Sequence, residues 1–208
     1  MRDHVFTLLP GPEAVAGAIA RLAREDAASL PLLRPEARES LVAEGRALTF
    51  RAARPVVGEG AAAVFQDFEL TTEFSPDSGF RALAGMVDDL LAAAFRRLGP
   101  PPLAGPFRIN DLVLQRYPAG CRGITPHRDH LRYTGLVAVV VLAGRGRFGV
   151  CADRAGNGAR EVPAPPGHLV LMRAPGLFGR RDRPFHRLTD ITEERWSFGL
   201  RQNERAGS

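Results

Sequence analysis

LVAVVVLA, residues 136–143, is a run of β-branched and other apolar residues, and GRFGVCAD, residues 146–153, follows it after one glycine and one arginine. Short runs of this composition, bounded by glycine, proline or asparagine, are typical of β-strands. Further runs of the same kind lie at 107–117, 168–174, 186–191 and 195–202. Many short strands at close spacing predict a β-barrel or β-sandwich and argue against a doubly wound parallel sheet.

The first half of the chain has a different, mainly helical pattern. Apolar residues recur at helical spacing in residues 13–28 and, most clearly, in residues 83–98. Residues 35–45 form a shorter candidate helix closed by its final glycine, and residues 63–74 favour a strand or hairpin arm. The turn-rich segment GPPPLAGP, residues 99–106, separates the two halves. The sequence therefore predicts an α+β chain whose main body is β.

Length and composition restrict the class of protein. A chain of 208 residues with 45% hydrophobic residues is long enough to bury a sizeable core. No run of about 18 apolar residues is present, so we expect no membrane-spanning helix. The N-terminal sequence MRDHVFTLLPGPE lacks the continuous apolar stretch of a secretory signal. The chain has two cysteines, Cys121 and Cys151, so we expect reduced thiols and a cytoplasmic protein.

The charge is unevenly distributed along the chain. All 28 basic residues are arginine, and the formal net charge is +5. Residues 1–100 carry 11 Arg and 14 Asp or Glu, a net charge of −3, whereas residues 101–208 carry 17 and 9, a net charge of +8. The second half therefore suits an anionic ligand such as a nucleotide, a nucleic acid or a carboxylate, although a solvated arginine-rich surface explains the charge equally well.

GRGRFG, residues 144–149, matches the G-x-G-x-x-G pattern of dinucleotide-binding sites. Such a site needs a helix after the glycines, because the helix N-terminus faces the pyrophosphate. Here a strand-like segment and the turn AGNG follow instead, and no acidic residue ends a second strand at the expected distance. We therefore interpret the motif as a β-hairpin turn.

The segment ITPHRDHLRY, residues 124–133, contains two histidines and an aspartate. On extended backbone, side chains two residues apart fall on the same side, so His127 and Asp129 point together and His130 points away. An imidazole and a carboxylate placed in this way can hold one face of a divalent metal ion. Two histidines and one carboxylate form the ligand set of non-haem Fe(II) oxygenases, which leaves other metal positions open for substrate and oxygen.

Two histidines are candidates for the third ligand. His168 begins a strand-like run after the turn PAPPG, and His186 follows RRDRPF, 59 residues after His127. The spacing alone does not choose between them.

The last strand-like run, RWSFGLRQ, alternates two kinds of side chain. Arg195, Ser197, Gly199 and Arg201 share one side of it. If this side is internal, two arginines there are costly unless an anion binds them, and the guanidinium fork suits a carboxylate. The alternative is that this side is exposed and that the apolar side, with Trp196, Phe198 and Leu200, is buried.

The ordered set of motifs resembles the Fe(II)/2-oxoglutarate-dependent dioxygenases, and most of all their AlkB-type branch. Three features carry the resemblance in the order of that branch: Gln115-Arg116-Tyr117 followed by PAG, then His127 with Asp129, then a distal His186 followed by Arg195 and Arg201. The segment PPGHLVLM before the distal histidine is also similar. The branch commonly has Asp where this chain has His168, which argues against His168 as the ligand. The resemblance covers residues 107–203.

This resemblance implies a metal site and its cofactors. His127, Asp129 and His186 are expected to bind Fe(II). The cofactors implied are Fe(II), 2-oxoglutarate as the cosubstrate, and O2.

The resemblance also implies a site for the cosubstrate. Arg195 is expected to pair with the distal carboxylate of 2-oxoglutarate, and Arg201 to lie near its metal-bound end. Tyr117 is expected to donate a hydrogen bond to the cosubstrate. Gln115 and Ser197, which stands where the branch often has Asn, are further candidates for contact.

A double-stranded β-helix, or jelly-roll, is the fold that the resemblance implies. We expect a single domain over residues 1–208, with the catalytic core in residues 105–203 and a mainly helical buttress in residues 1–104. We also expect a monomer that makes no membrane contact.

The activity implied is oxidation of an unactivated C–H bond, which gives hydroxylation, or demethylation when the carbon is attached to nitrogen. Asp129 fills the ligand position that halogenating relatives leave open for chloride, so we favour hydroxylation. Phe65, Phe68, Phe74 and Phe80 could stack on a base, but we interpret them as core aromatics.

The first half contains no motif that matches the nucleotide-recognition lid of AlkB-type enzymes, so we favour a small-molecule substrate, and an anionic one suits the arginine-rich loops. AlkB-like dealkylation of nucleic acid bases and a non-catalytic jelly-roll binding module are the alternatives.

Overall fold

The computed structural model describes residues 6–204. Its helices are α1 (Pro12–Arg21), α2 (Pro35–Gly45) and α3 (Gly79–Phe95), with short 3-10 turns at Gly60–Ala62 and Leu177–Gly179. None of the helices in this part of the chain combines the length and the apolar character that crossing a membrane requires. The first five residues, which belong to the N-terminal segment discussed above, and the last four lie outside the described residues.

The strands form two antiparallel sheets. Their bounds are β1 (Ala27–Pro31), β2 (Arg51–Ala52), β3 (Val56–Val57), β4 (Val64–Asp67), β5 (Glu69–Thr71), β6 (Asp111–Tyr117), β7 (Gly123–His127), β8 (Tyr133–Ala143), β9 (Arg147–Cys151), β10 (Arg160–Glu161), β11 (His168–Arg173), β12 (Phe185–Thr189) and β13 (Arg195–Asn203). One sheet has seven strands in the order β1-β11-β8-β13-β6-β5-β2, and the other has six in the order β10-β9-β12-β7-β4-β3. The predicted mainly β core with packed helices is confirmed.

The strands of the second half alternate between the two sheets, except that the short strand β10 pairs with β9 in the same sheet. β6, β8, β11 and β13 belong to the seven-stranded sheet, whereas β7, β9 and β12 belong to the six-stranded sheet. This alternation is the winding of a double-stranded β-helix, so the predicted jelly-roll is confirmed.

The same winding corrects the interpretation of GRGRFG. β8 and β9 lie in different sheets, so the motif is a crossover between sheets and not a β-hairpin turn. Gly144 adopts a φ of +77°, and a Cβ there would lie 2.0 Å from the carbonyl oxygen of Glu194. Glycine is required at residue 144 because the backbone there lies close to the backbone of Glu194. It is not explained by the approach of a phosphate group.

The helices cover the outer face of the seven-stranded sheet. Their apolar residues share one large core with alternate residues of β6, β8, β11 and β13, including Trp196, Phe198 and Leu200. Arg195 and Ser197, on the opposite face of β13, are buried as well, because that face turns inward toward the other sheet. The alternative that the arginine side of β13 is exposed is therefore wrong.

The first half of the chain supplies strands as well as helices. α1 ends at Arg21, short of the predicted residue 28, and β1 then pairs with β11 at the edge of the seven-stranded sheet. Gly45 ends α2 as expected, but its reason is packing: a Cβ there would lie 2.8 Å from the ring of Trp196. Since β3 and β4 join the six-stranded sheet, the division of the domain at residue 105 stays a prediction.

Candidate metal centre

Strand register brings together the three side chains expected to bind metal. His127 is the last residue of β7, and His186 lies directly opposite it on the antiparallel strand β12. Asp129 follows two residues after His127, where the chain leaves the sheet. One ligand atom from each of the three residues lies within 4.8 Å of the others. This is the spacing of a group that can hold one metal ion.

Backbone carbonyls fix the orientation of both imidazoles. Nδ1 of His127 lies 2.9 Å from the carbonyl oxygen of Thr125, and Nδ1 of His186 lies 3.3 Å from that of Pro184. A carbonyl oxygen only accepts, so each neutral ring donates from Nδ1 and keeps its lone pair on Nε2. Nε2 of His186 lies 3.7 Å from Oδ2 of Asp129. The free Nε2 atoms are therefore the ones available to a metal.

The electrostatics of the group favour a neutral His127 and an ionised Asp129. Burial, reinforced by His186, lowers the pKa of His127 to about 3. Burial raises the pKa of Asp129, but the neighbouring His186 and Arg201 outweigh it and hold that pKa below its ordinary value. Divalent metals bind these protonation states, so the group is ready to bind a metal at neutral pH.

The three side chains lie at one end of a pocket between the two sheets. The pocket encloses about 580 Å³, including the space open to solvent at its mouth. Aliphatic side chains of β8 and β11 form much of its wall: Val137, Val139, Val141, Val170 and Met172. The polar residues predicted to contact a cosubstrate line it too: Gln115, Tyr117, Arg195, Ser197 and Arg201.

Arg195 is a buried cation that has no anionic partner among the residues that the structure describes. It is 2% exposed, and its Nη1 donates to the carbonyl oxygens of Ala164 and Gly146, at 3.2 and 3.4 Å. Its Nε is buried and has no hydrogen-bond partner among residues 6–204. Burial lowers the pKa of Arg195 to about 10, although Tyr117 opposes this shift. A buried guanidinium in this state is a strong candidate to bind a carboxylate.

Arg201 lies on the same side of β13, four residues nearer the C-terminal end of the strand than Ser197. Its Nη1 is 3.5 Å from Oδ1 of Asp111, and its Cζ lies 4.8 Å from the centre of the Tyr133 ring. A Cβ at Gly199 would lie 3.2 Å from Nη2 of Arg201, so the glycine leaves room for this guanidinium. Its Nε is also buried without a partner in the described residues.

The remaining predicted contacts come from the pairing of β6 with β13. Tyr117 lies opposite Arg195, and Gln115 lies opposite Ser197. Tyr117 is buried, and burial raises the pKa of its phenol above the ordinary value. The hydroxyl therefore stays protonated and can donate a hydrogen bond into the pocket.

His130 and His168 do not join the metal group. His168 lies where β11 meets β1, and its Nδ1 is 2.9 Å from Oγ of Ser29. His130 is exposed and accepts a hydrogen bond from the backbone N–H of Arg132. The structure thus places His186, and not His168, beside His127 and Asp129.

Beside the metal group lies a set of arginines whose arrangement the sequence did not reveal. Cζ of Arg128 lies 4.1 Å from the centre of the Phe185 ring, and Cζ of Arg154 lies 5.6 Å from it. Nη1 of Arg183 donates a hydrogen bond to the backbone oxygen of Asp129. We refer to Arg128, Arg154 and Arg183 as the arginine cap. The run RRDRPF before His186 indicated a concentration of positive charge. It did not indicate that Phe185 of this run contacts Arg128 and Arg154.

The phenylalanines divide into two groups. Phe68, Phe74 and Phe80 are buried, as expected for core aromatics. Phe65 is 42% exposed on β4, beside the guanidinium of Arg122, so the expectation is wrong for that residue. Its strand lies at the surface because only the short edge strand β3 follows β4 in the sheet.

Comparison with known proteins gives matches in structure only. No protein-family model matches the chain, and no curated protein matches its sequence. A prolyl hydroxylase from Trichoplax adhaerens, solved with a peptide fragment of the hypoxia inducible factor oxygen degradation domain, superposes with a TM-score of 0.66 at 12% identity, covering 93% of this chain and 90% of that one. An oxidoreductase of the 2OG-Fe(II) oxygenase family from Burkholderia pseudomallei gives a TM-score of 0.64 at 15% identity, covering 98% and 96%.

The chain has the fold of the 2OG-Fe(II) oxygenases. A full-length Neurospora crassa protein solved in complex with alpha-KG also shares it, with a TM-score of 0.61 at 13% identity over 92% of this chain and 80% of that one. At these identities the oxygenase fold is what the likeness establishes. The chemistry must be argued from the residues of this chain.

Proposed function

We propose that the chain is an Fe(II)- and 2-oxoglutarate-dependent oxygenase that hydroxylates, or oxidatively demethylates, a C–H bond of a small substrate. One observation carries the proposal. Two histidines and a carboxylate converge at one end of a pocket that also holds Arg195, a buried cation without an anionic partner. A dicarboxylate that chelates the metal at one end can bind Arg195 with its other carboxylate.

The donor set of the candidate centre fits ferrous iron. His127, Asp129 and His186 would hold the ion through two Nε2 atoms and a carboxylate oxygen, which leaves further positions for the cosubstrate and O2. When bound, iron with 2-oxoglutarate and O2 supplies the oxidation of an unactivated C–H bond, with succinate and CO2 as the other products. Because Asp129 occupies a ligand position, hydroxylation is favoured over halogenation.

Residues of both sheets would hold the cosubstrate. Arg195 would bind its distal carboxylate with the donors that the protein leaves free, and Arg201 would lie near its metal-bound end. Tyr117 would donate a hydrogen bond to it, with Gln115 and Ser197 beside the same path. The pocket's aliphatic wall would exclude water, which strengthens each of these polar contacts.

The arrangement of Arg195 and Arg201 supports assignment to the AlkB-type branch within this fold. Both guanidiniums line one pocket and project from the same face of β13. Two free cysteines, Cys121 and Cys151, support the expected cytoplasmic setting. The expected monomer is checked by sedimentation velocity.

The first test needs no substrate. Under anaerobic conditions, Fe(II) and 2-oxoglutarate are added to the apo-protein, and the visible charge-transfer band of the chelated 2-oxo acid is recorded. We expect the band in the wild type and its loss in His186→Ala. If the folded wild-type protein gives no band while free Fe(II) is confirmed in solution, a non-catalytic jelly-roll binding module becomes the better account.

Exposed Phe65 favours a second candidate function, AlkB-like dealkylation of nucleic acid bases. An aromatic ring beside a guanidinium is a surface on which a base can stack. This function predicts affinity for single-stranded DNA or RNA that falls steeply with salt and weakens in Phe65→Ala. The small-molecule function predicts no such affinity, so a fluorescence anisotropy titration at two salt concentrations distinguishes the two.

A further inference from the structure

Two members of the arginine cap lie over a single aromatic ring at the edge of the metal centre, and the third contacts Asp129. Arg128 lies between His127 and Asp129 in the chain, and Phe185 directly precedes His186. The guanidiniums of Arg128 and Arg154 both lie over the Phe185 ring, within 5.6 Å of its centre. Arg128 is thus a chain neighbour of two proposed metal ligands and Arg183 is hydrogen-bonded to one of them, while Arg154 reaches the group through Phe185.

In the described part of the chain, none of the cap arginines forms a close ion pair, although the Asp129 carboxylate attracts Arg183 at longer range. Within residues 6–204, no carboxylate lies within 4.0 Å of the guanidinium nitrogens of Arg128, Arg154 or Arg183, whereas the nearby Arg173 and Arg180 both pair with Asp182. Nη1 of Arg154 is buried and has no hydrogen-bond partner in this part of the chain. An unsatisfied buried donor is costly, and two further guanidiniums lie beside it, so the arrangement is one that an anion would stabilise.

We propose that the arginine cap binds a phosphate or carboxylate group of a small substrate while the C–H bond to be oxidised is held at the metal. This inference rests on the proposed function and adds to it the class of substrate. The cap is distinct from the cosubstrate pocket, because its arginines come from the loops around β7, β9 and β12, and not from β13.

The contacts of each arginine suit this role. Arg128 and Arg154 make cation–π contacts with the face of the Phe185 ring, which orient their guanidinium groups. These contacts do not use the N–H donors, which can bind an oxyanion. Arg183 is tied to the backbone oxygen of Asp129, so its position is fixed relative to a metal ligand. An anionic group held there would keep the rest of a short molecule within reach of the metal.

A small anion fits the cap better than a nucleic acid backbone does. Binding to a strand needs arginines spread along several successive phosphates. Here Asp182 forms ion pairs with Arg173 and Arg180. On the neighbouring strands β9 and β10, Arg147 forms an ion pair with Glu161. The unpaired charge is therefore concentrated around Phe185, which matches one anionic group.

The test is a calorimetric titration of the metal-free protein with inorganic phosphate. Arg128→Gln combined with Arg183→Gln removes two charges from the cap. Arg46→Gln, at the exposed end of α2 and without an ion pair, is the matched control for the change in charge. We expect the wild type and Arg46→Gln to bind phosphate equally, and the double variant to bind it at least tenfold more weakly.

A second variant separates the cap from the cosubstrate pocket. If Arg195→Met abolishes phosphate binding and the double variant does not, phosphate binds in the pocket and the proposal is overturned. Equal phosphate binding in the wild type and the double variant, or no binding to either, also overturns it. Circular dichroism confirms that each variant is folded.

Nucleic acid binding is the remaining outcome. If a single-stranded oligonucleotide binds more than a hundredfold more tightly than phosphate, and the double variant loses this affinity, the cap serves a nucleic acid backbone and the small-substrate proposal fails. Because the titration contains no iron, its result is independent of the charge-transfer band. A missing band with intact phosphate binding would refute the proposed oxygenase activity alone.

Discussion

Among single residues, Arg195 shows most directly how burial creates a binding site. It lies almost fully inside the protein, and within the described residues its hydrogen-bond acceptors are two backbone carbonyls. An isolated arginine at such a position destabilises the fold, and a bound carboxylate reverses that effect. Arg195 therefore lowers the stability of the ligand-free protein and raises its affinity for a carboxylate.

Replacing Arg195 with methionine separates these two effects. Loss of charged hydrogen bonds worth about 1.5–3 kcal/mol should raise the 2-oxoglutarate concentration needed for half-maximal turnover roughly tenfold to hundredfold. The free energy of unfolding of the apo-protein should stay equal or rise, because an unpaired buried charge is removed. Cosubstrate titrations and urea unfolding measure the two quantities. A large loss of apo-stability would show that Arg195 is mainly structural.

At the scale of single residues, spacing predicted the metal group only in part, and the resemblance of motifs supplied His186 as its third member. The H-x-D spacing placed His127 and Asp129 together because alternation along extended backbone is a local property. The choice of His186 over His168 depended on strand pairing 59 residues away, which the spacing does not encode. The exposure of Phe65 is likewise decided by its neighbours in the sheet, and not by its own hydrophobicity.

Among the elements, the pair β7–β12 determines the geometry of the candidate centre. Gly123, the first residue of β7, has a φ of +77°, and a Cβ there would lie 2.1 Å from the carbonyl oxygen of Leu188 on β12. Only a residue without a side chain allows this approach. The same pairing holds His127 opposite His186.

Gly123→Ala should therefore force β7 and β12 apart. We expect the free energy of unfolding to fall by about 2–4 kcal/mol, with weaker metal binding, because strain and a backbone clash combine. Gly85→Ala in α3 is the control: no atom lies within 4 Å of its Cβ, and alanine there should stabilise by about 0.5–1 kcal/mol. Urea unfolding of both variants measures the contrast, and equal stabilities would contradict the clash.

The segment between β11 and β12 is held by an ion-pair network that depends on pH. Hydrogen bonds from Arg180, and then from Arg173, lower the pKa of Asp182 to about 2, although burial opposes the shift. A carboxyl whose pKa is lower in the folded state stabilises the fold above pH 4, and this contribution is lost as the pH falls from about 4 toward 2.

The Asp182→Asn variant should accordingly be less stable than the wild type at pH 7, by a small amount because the carboxylate is 46% exposed and screened by solvent. The difference should shrink mainly between pH 4 and pH 2. Urea midpoints of both proteins at each pH provide the measurement. A difference that is constant across this range would mean that the ion pairs contribute nothing and that the substitution acts through packing.

Sequence patterns predicted the central elements better than those at the edges. The runs that became β8, β11 and β13 are long and rich in apolar or β-branched residues, so their local preference agrees with their environment. The strand β1, with sequence AASLP, has little intrinsic β preference and exists because it pairs with β11. For the same reason, the end of α1 was predicted seven residues too late.

For the whole molecule, the candidate site joins the two sheets. His127 and His186 belong to the six-stranded sheet, whereas Arg195, Arg201 and Tyr117 belong to the seven-stranded sheet. The alternation of strands between sheets was predictable only through the resemblance of motifs, because pairing partners lie far apart in the chain. Composition and periodicity alone left a barrel and a sandwich as equal alternatives.

Ligands that bridge both sheets should stabilise the entire fold. At one hundred times its dissociation constant, a ligand adds about 2.7 kcal/mol to the free energy of unfolding. For a chain of this size, Tm should rise by roughly 5–10 °C when Fe(II) and 2-oxoglutarate are added anaerobically. His186→Ala should abolish the rise, and His168→Ala should retain it. Differential scanning calorimetry measures both, and a lost response in His168→Ala would mean that the third ligand is misassigned.

The placement of the site across two sheets also restricts the length of the ligand that can bind. Packed β-sheets lie about 10 Å apart, and side chains between them set that separation within narrow limits. Under the proposed function, one acid group is fixed at the metal on one sheet and the other at Arg195 on the opposite sheet. The thickness of the sandwich then selects the length of the diacid, so a 2-oxo acid one carbon shorter or longer would be rejected by the scaffold itself, before any loop takes part.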